Sequence, residues 1–409
     1  MLKYTNTKKL LPKGIVMEQK NYPPTWDCES LAKPLTWDDI NAIPVAHEGM
    51  SEDELRDICW DFMHYQLNFA WKPNSPILIR ADKDLYQPQH VYAGMPYVSS
   101  TFSNLYQLME EWYDEKTGIM DTLSMGDRAG TILGNQCSAD SFWGWARVSN
   151  TIIWGGTAYI NPPRGARYLG QRLNEVYNAP PFSAPNSLAD ISTVELCRAV
   201  TPEGMYEAYA MVKKADGLVT GTNAHVMMVA GPADIKRDEN GKILGTSTIT
   251  VQHQTTGMRS IGVQENGVFI YLAPGYESCY TFDYLIEKGY LPFTIPELCG
   301  EKPVSPVKLE IPELPAKATP GQLLTEMFGS NYVFSDLKLV FRDKEGNLIK
   351  KEHYPLNLAK TFRKKEITLE ELGADPAAWE ALCGKETRVE FYARTSNGEV
   401  HTLYKGRLV

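Results

Sequence analysis

The sequence predicts an α+β fold with a separate β-rich module at its C-terminus. Strong helix signals dominate the first half of the chain, and apolar or β-branched runs follow in series after residue 225. The stretch 301–320 contains five prolines and separates this part from a second set of strand signals. Segregation of helices from strands along the chain is typical of the α+β class.

Composition excludes several classes of protein. The chain has 409 residues, of which 43% are hydrophobic and 22% charged, which is ordinary for globular domains. A net charge of −9 would repel phosphate backbones, so we expect no nucleic-acid partner. Apolar runs long enough to cross a bilayer are absent from the sequence, so no transmembrane segment is expected.

Seven cysteines are scattered through the chain without a CxxC pair. This spacing indicates neither a disulfide framework nor a zinc site, and we expect no metal. The first 15 residues lack a continuous apolar stretch, so no signal peptide is expected. Localisation stays open between the cytoplasm and export.

The helices are predicted from capping and spacing. Residues 1–50 are rich in Pro and Trp and are expected to form an irregular wrap. Ser51 and Glu54 have the spacing of a capping box, which predicts a helix that ends before Pro73. Further helices are predicted at Thr101–Tyr113, 136–149 and 202–214, and a long loop at 150–200.

The strands are predicted from β-branched runs. In the first part of the chain they are Val226–Ala230, Ser247–Val251 and Val268–Leu272, with a turn at Asp238–Gly241. Beyond the proline-rich segment they are Tyr332–Phe341 and Arg388–Arg394, with turns at Lys344–Asn347 and Ser396–Gly398 and a helix at Leu369–Leu382. This last part is expected to be a β-rich module of the sandwich kind.

Cys137 is the first candidate for chemistry. It follows a polar Gly-Asn-Gln turn and opens a predicted helix, where exposed amides and the helix dipole favour a thiolate. A buried structural cysteine would fit the same position.

Two polar positions on predicted strands could serve this cysteine. His225 opens the apolar run His-Val-Met-Met-Val, and an imidazole there could accept the proton of the thiol. On the next strand, His253 could hold the second ring nitrogen of that base. If His253 faces away, Gln252 or Gln254 takes this role.

The order of these features resembles the NlpC family of papain-like cysteine peptidases, which cleave bacterial cell-wall peptides. The segment Gly94–Val98 is similar to the Gly-x-Pro-Tyr segment of the family. Cys137-Ser138 is similar to its helix start, and His225-Val226 to its base strand. Gln136 stands where the family has an Asp that helps to bind a free amine, so amine recognition is in question here.

The resemblance covers roughly residues 50–275 and implies a papain-like core with helices packed on an antiparallel sheet. With a boundary at the proline-rich segment, the catalytic domain is expected at residues 51–304 and the C-terminal module at 305–409. It implies Cys137, His225 and His253 as catalytic residues, and an oxyanion or substrate-binding region at Tyr97, Gln136 and Ser138. It also implies a peptide substrate derived from peptidoglycan and no cofactor.

Two alternatives stay open. One is an acyl transferase or transglutaminase-like enzyme of the same broad fold. The other is a non-catalytic protein that binds wall peptides on the same scaffold.

Overall fold

The computed structural model describes most of the chain. The described residues are 34–79, 84–98, 102–126, 134–151, 156–255, 259–263, 269–272, 275–354, 356 and 364–409. Most of the expected N-terminal wrap, residues 1–33, lies outside them. Within the remainder, Trp37–Ala42 forms a helix with a capping box between Thr36 and Asp39, so the expectation of irregular structure is wrong there.

The described residues form a mixed helix and strand architecture, which confirms the α+β class. The helices, in chain order α1 to α11, are Trp37–Ala42, Glu52–Asn68, Leu105–Glu111, Thr122–Met125, Cys137–Trp145, Gln171–Tyr177, Thr193–Val200, Pro202–Ala210, Phe282–Glu287, Pro320–Thr325 and Pro376–Glu380.

The strands of the first 300 residues belong mainly to two larger sheets. In chain order β1 to β14, they are Ala70–Pro73, Ile77–Ile79, Asp84–Tyr86, Val91–Ala93, Tyr113–Asp114, Ile119–Met120, Arg167–Tyr168, Gly217–Thr220, His225–Val229, Thr248–Gln254, Arg259–Val263, Phe269–Leu272, Gly275–Thr281 and Leu291–Thr294.

The remaining strands lie in the C-terminal part. In chain order β15 to β22, they are Leu309–Glu310, Lys317–Ala318, Phe328–Ser330, Phe334–Arg342, Leu348–His353, Glu366–Ile367, Arg388–Thr395 and Val400–Leu408.

A six-stranded antiparallel sheet forms the centre of the first part. Its strand order is β13-β10-β9-β8-β14-β7. Helices α2 and α5 pack against each other and against this sheet. The contact is close, because a Cβ added at Gly144 of α5 would lie 2.8 Å from the carbonyl oxygen of Cys59 in α2. Glycine at this position allows the two helices to approach.

The two principal helices begin as their sequences predict. At α2, Ser51 and Glu54 form the capping box, with Ser51 N donating to Glu54 Oε2 over 2.8 Å. Helix α5 buries both of its tryptophans, Trp143 and Trp145, and the indole N–H of each donates to a backbone carbonyl. Burial with a satisfied N–H makes these rings part of the core.

The segment 150–200 is more regular than the predicted loop. Helices α6 and α7 lie within it and pack with α8. In α7, Leu196, Cys197 and Val200 are fully buried, so this helix has an amphipathic pattern. The surrounding Gly, Pro and Asn residues favoured the prediction of a loop instead.

The C-terminal part has its own hydrophobic cluster, from Ala318 to Leu408. A five-stranded sheet, β16-β22-β21-β18-β19, and a three-stranded sheet, β15-β17-β20, contribute to it. The rings of Phe328 and Phe391 meet edge to face at 4.9 Å and join the two sheets. The predicted helix at Leu369–Leu382 is wrong over its first half, where turns precede the short helix α11.

Charged side chains connect this part to helix α3. Glu110 binds Lys338 and Lys351, and the ring of His353 lies between Glu111 and Asp336. Asn104 Nδ2 also donates to the carbonyl oxygen of Ser335 over 2.8 Å. No helix in the described part of the chain is both long and apolar enough to cross a membrane.

Candidate active site

Tyr97 is held beside the start of helix α5 by backbone pairing. Tyr97 and Asn135 form a parallel β-bridge, and Val98 N donates to Asn135 O over 2.8 Å. Gly134 has φ +129°, and a Cβ there would lie 2.5 Å from a methyl group of Val98. The glycine therefore permits the close approach that brings Tyr97 and Cys137 to one place, although they are distant in sequence.

Cys137 is the first residue of α5 and is nearly fully buried. Its Sγ lies 4.0 Å from the carbonyl oxygen of Ala224. Burial raises the pKa of its thiol, and hydrogen bonds involving Val226 and Thr157 offset only part of this rise. The thiol is therefore protonated at neutral pH.

The turn before His225 holds two non-glycine residues in the left-handed region. Asn223 has φ 61° and Ala224 has φ 45°. Such backbone costs free energy, and it is concentrated at functional sites. This turn presents the Ala224 carbonyl to Cys137 and sets His225 at the first position of β9. Asn adopts this conformation more readily than most residues and Ala rarely does, so residue type signals the turn at Asn223 but not at Ala224.

The structure brings the two strand histidines together. His225 Nε2 lies 2.8 Å from His253 Nδ1, and the rings meet edge to face at 5.0 Å. Val229 and Val251 pair across β9 and β10, and each histidine is an even number of residues from one of them. Both rings therefore project from the same face of the sheet.

The two glutamines that could have replaced His253 are engaged elsewhere. Gln252 Nε2 lies 2.9 Å from His64 Nδ1 of helix α2. Gln254 Nε2 donates to the carbonyl oxygens of Met95 and Pro96. Their side chains project from the opposite face, which leaves His253 as the partner of His225 on this strand.

Burial lowers the pKa of His225 to about 4. The imidazole is therefore neutral at pH 7. On the far side of His253, Ser278 Oγ lies 3.5 Å and Tyr280 Oη 3.4 Å from Nε2. His253 Nε2 therefore has two oxygen neighbours, and Tyr280 in turn stacks on Tyr284 at 4.9 Å.

Cys137 and His225 line one cleft of about 400 Å³. Its other lining residues are Tyr97, Thr220, Thr222, Asn223, Ala224, Thr255, Tyr284, Lys288 and Tyr290. Gln136 and Ser138 flank the cysteine but do not contribute to this lining. Among the described lining residues hydroxyl groups dominate, Lys288 is the single charged side chain, and there is no carboxylate.

Asp140 is an unexpected residue one turn along α5 from Cys137. It is fully buried, and neither carboxyl oxygen has a hydrogen-bond partner among the described residues. Burial raises the pKa of this carboxyl well above its ordinary value. Within the same described residues, no three His, Cys, Asp or Glu side chains form a group that could hold a metal ion.

The sequence did not single out Thr157, Lys288 or Tyr290. Tyr290 lines the same cleft as Cys137, and the centre of its ring lies 6.4 Å from that of His225. Each of the three belongs to an element remote in sequence from the cysteine, and none has a local pattern that would mark it. Comparisons with protein-family models, with curated proteins and with solved structures return no match.

Proposed function

We propose that the protein is a cysteine-dependent amide hydrolase with a papain-like core of the NlpC type. The observation that carries this proposal is that Cys137 and His225 line one cleft, and that His225 contacts His253, which is not among the described lining residues. A thiol at a helix start, an imidazole that lines the same cleft and a polar group that orients the imidazole are parts that nucleophilic amide cleavage uses.

The contact requires one of the two facing nitrogens to donate and the other to accept. If His225 Nε2 donates to His253 Nδ1, then His225 Nδ1 carries a lone pair that can accept the thiol proton. His253 Nε2 then carries a proton, for which Ser278 Oγ and Tyr280 Oη are the neighbouring acceptors. This arrangement leaves His225 ready to act as a base.

Both reacting groups are uncharged at rest, so the proton moves as the sulfur attacks. The Cys137 sulfur bonds to the amide carbonyl carbon while His225 takes the thiol proton. His225 then returns the proton to the departing nitrogen as the C–N bond breaks. Water, deprotonated by His225, attacks the thioester, and the C–S bond breaks to release the acid and regenerate the thiol.

The start of α5 is suited to stabilise the oxyanion. The amide N–H of Cys137 has no partner within the helix, because the first N–H groups of a helix lack one. The Tyr97 side chain lines the same cleft and supplies a second donor. Donors fixed in this way stabilise charge that develops in the transition state.

Wall-derived peptides are the proposed substrate, and the C-terminal part is proposed to be a sandwich-like accessory module. The raised pKa of Cys137 favours a second candidate, a non-catalytic protein that binds such peptides in the same cleft. An acyl transferase would share the thioester intermediate and differ in its acceptor.

The test is hydrolysis of a pool of bacterial cell-wall stem peptides, followed by mass spectrometry. We expect turnover that Cys137→Ala abolishes and that Cys279→Ala retains, because Cys279 is exposed on β13. Peptide binding without turnover by the wild-type protein would favour the binding protein. Products joined to an added amine in place of acids would favour the transferase.

A further inference from the structure

We infer that the cleft has an anion subsite on its leaving-group side, built around Lys288, which takes the carboxylate of the residue that supplies the scissile nitrogen. This inference rests on the proposed function and names the substrate class for it. That class is a peptide whose leaving portion carries a carboxylate, either a free C-terminal one or that of an acidic side chain.

The first observation that supports this subsite is the position of Lys288 relative to His225. Thr220 pairs with His225 across strands β8 and β9. The Oγ1 of Thr220 donates to the carbonyl oxygen of Lys288 over 2.9 Å. Lys288 therefore lies on the side of the cleft that contains Thr220 and His225.

The chemistry of amide cleavage indicates which part of the substrate lies beside His225 and Lys288. His225 protonates the nitrogen that departs, so the atoms attached to that nitrogen lie on the His225 side. The acyl carbon, which bonds to sulfur, remains on the Cys137 side. A group that binds beside Lys288 consequently belongs to the leaving amine.

The second observation that supports this subsite is the charge of the residues that line the cleft. In a chain of net charge −9, the described lining residues include a lysine and no carboxylate. The Nζ of Lys288 lies 5.6 Å from the centre of the Tyr284 ring, which also lines the cleft. A substrate with an ammonium group at this end would meet a like charge, whereas a carboxylate would meet a cation beside hydroxyl donors.

Glu287 does not occupy this subsite. It contacts Lys288 Nζ at 2.7 Å, but its side chain is 68% exposed and it is absent from the described lining of the cleft. Exposed pairs of this kind contribute at most about 1 kcal/mol, so a carboxylate in the cleft can replace Glu287 as the partner of the lysine.

Acceptor amines probe the leaving-group side without a known peptide substrate. The acyl-enzyme is formed from N-acetylglycine p-nitrophenyl ester, with p-nitrophenolate as the leaving group. Alanine or alaninamide is then added as the acceptor. The amine nitrogen attacks the thioester, the C–S bond breaks, and the nitrogen proton passes through His225 to the sulfur. The ratio of amide to acid product measures acceptor binding.

Because alaninamide is the weaker base and only the unprotonated amine attacks, the product ratios are compared per unprotonated amine. On that scale we expect alanine to be favoured over alaninamide by about tenfold, as for a charge-assisted hydrogen bond. Lys288→Gln should remove this preference and Lys288→Arg should retain it. Lys242→Gln is the matched control, since Lys242 is another exposed lysine paired with a glutamate, outside the cleft. Aspartic acid diamide, in which both carboxyl groups are neutral amides, and aspartic acid α-amide, which keeps the side-chain carboxylate, then distinguish a side-chain from a C-terminal carboxylate.

Two results distinguish failure of the anion subsite from failure of the proposed hydrolase activity. Equal use of both acceptors, or a preference that survives Lys288→Gln, overturns the anion subsite while Cys137-dependent ester turnover leaves the hydrolase standing. Ester turnover that persists in Cys137→Ala overturns the hydrolase, and the anion subsite with it.

Discussion

His225 Nε2 lies 2.8 Å from His253 Nδ1, so the orienting partner of the proposed base is a second imidazole. An imidazole accepts this hydrogen bond without a negative charge. It therefore orients His225 but provides little electrostatic support for the imidazolium that forms in the reaction. The low pKa of His225 agrees with a buried base that has no anionic partner in its described surroundings.

The first prediction concerns the acid limb of the pH profile. Burial holds the pKa of His225 at about 4, below the value of about 6.5 in an unfolded chain. The neutral, active form therefore persists as the pH falls, and kcat/KM should decline only near pH 4. Initial rates between pH 3.5 and 8 measure this limb. A decline centred near pH 6.5 would contradict the burial of the base.

The second prediction concerns the role of His253. His253→Ala removes the acceptor for His225 Nε2, and kcat should fall by about 100-fold, as for the loss of a group that supports general acid–base catalysis. His253→Asn places an amide oxygen near the position of Nδ1 and should recover part of this loss. A purely structural role would give equal rates in both variants once their folded fractions are matched by circular dichroism.

The third prediction concerns thiol reactivity. Because burial raises the pKa of Cys137, its labelling by iodoacetamide should reach half-maximum above pH 9, the ordinary value of its thiol. Thr157→Val removes a hydrogen bond that lowers this pKa and should move the midpoint higher, whereas Thr157→Ser should not. Peptide mass spectrometry reads each cysteine, with the exposed Cys279 as the internal reference. A midpoint below pH 7 would show that the thiol is ionised at rest.

The fourth prediction concerns Asp140. A carboxyl whose pKa is higher in the folded than in the unfolded state binds more protons when folded. Stability is then lost as the pH rises above about 4, the unfolded value. Asp140→Asn removes this loss, so its free energy of unfolding should exceed that of the wild type at pH 7 by about 1–3 kcal/mol. Urea unfolding should show a smaller gain at pH 4.5, and an equal gain at both pH values would contradict the raised pKa.

Local signals allowed much of the fold to be predicted. The capping box at Ser51, the helix from Cys137 and the strands that contain His225 and His253 all depend on neighbours within a few residues. Helix α7 was not predicted, because its apolar face spans only eight residues between stretches rich in Pro and Gly. The predicted helix at 369–382 failed because the Thr368–Glu371 contact closes a turn that leads to Gly373.

Only those residues of the site that are marked by their neighbours in the sequence could be predicted. Cys137 and His225 stand at the ends of elements, where residue type and position both carry information. Lys288 and Tyr290 reach the cleft through the packing of α9 and β14, and Thr157, in the segment before α6, contacts Cys137. Their roles depend on tertiary distances that no local pattern encodes.

The contacts of helix α3 with the C-terminal part have a consequence for any attempt to shorten the chain. A protein cut before residue 305 would lose Lys338, Lys351 and His353 together. Glu110 and Glu111 would then face water as an uncompensated acidic pair on the surface of the remaining fragment. The shortened protein would consequently be more sensitive to ionic strength than the whole chain, because added salt would screen a repulsion that lysine and histidine side chains now neutralise.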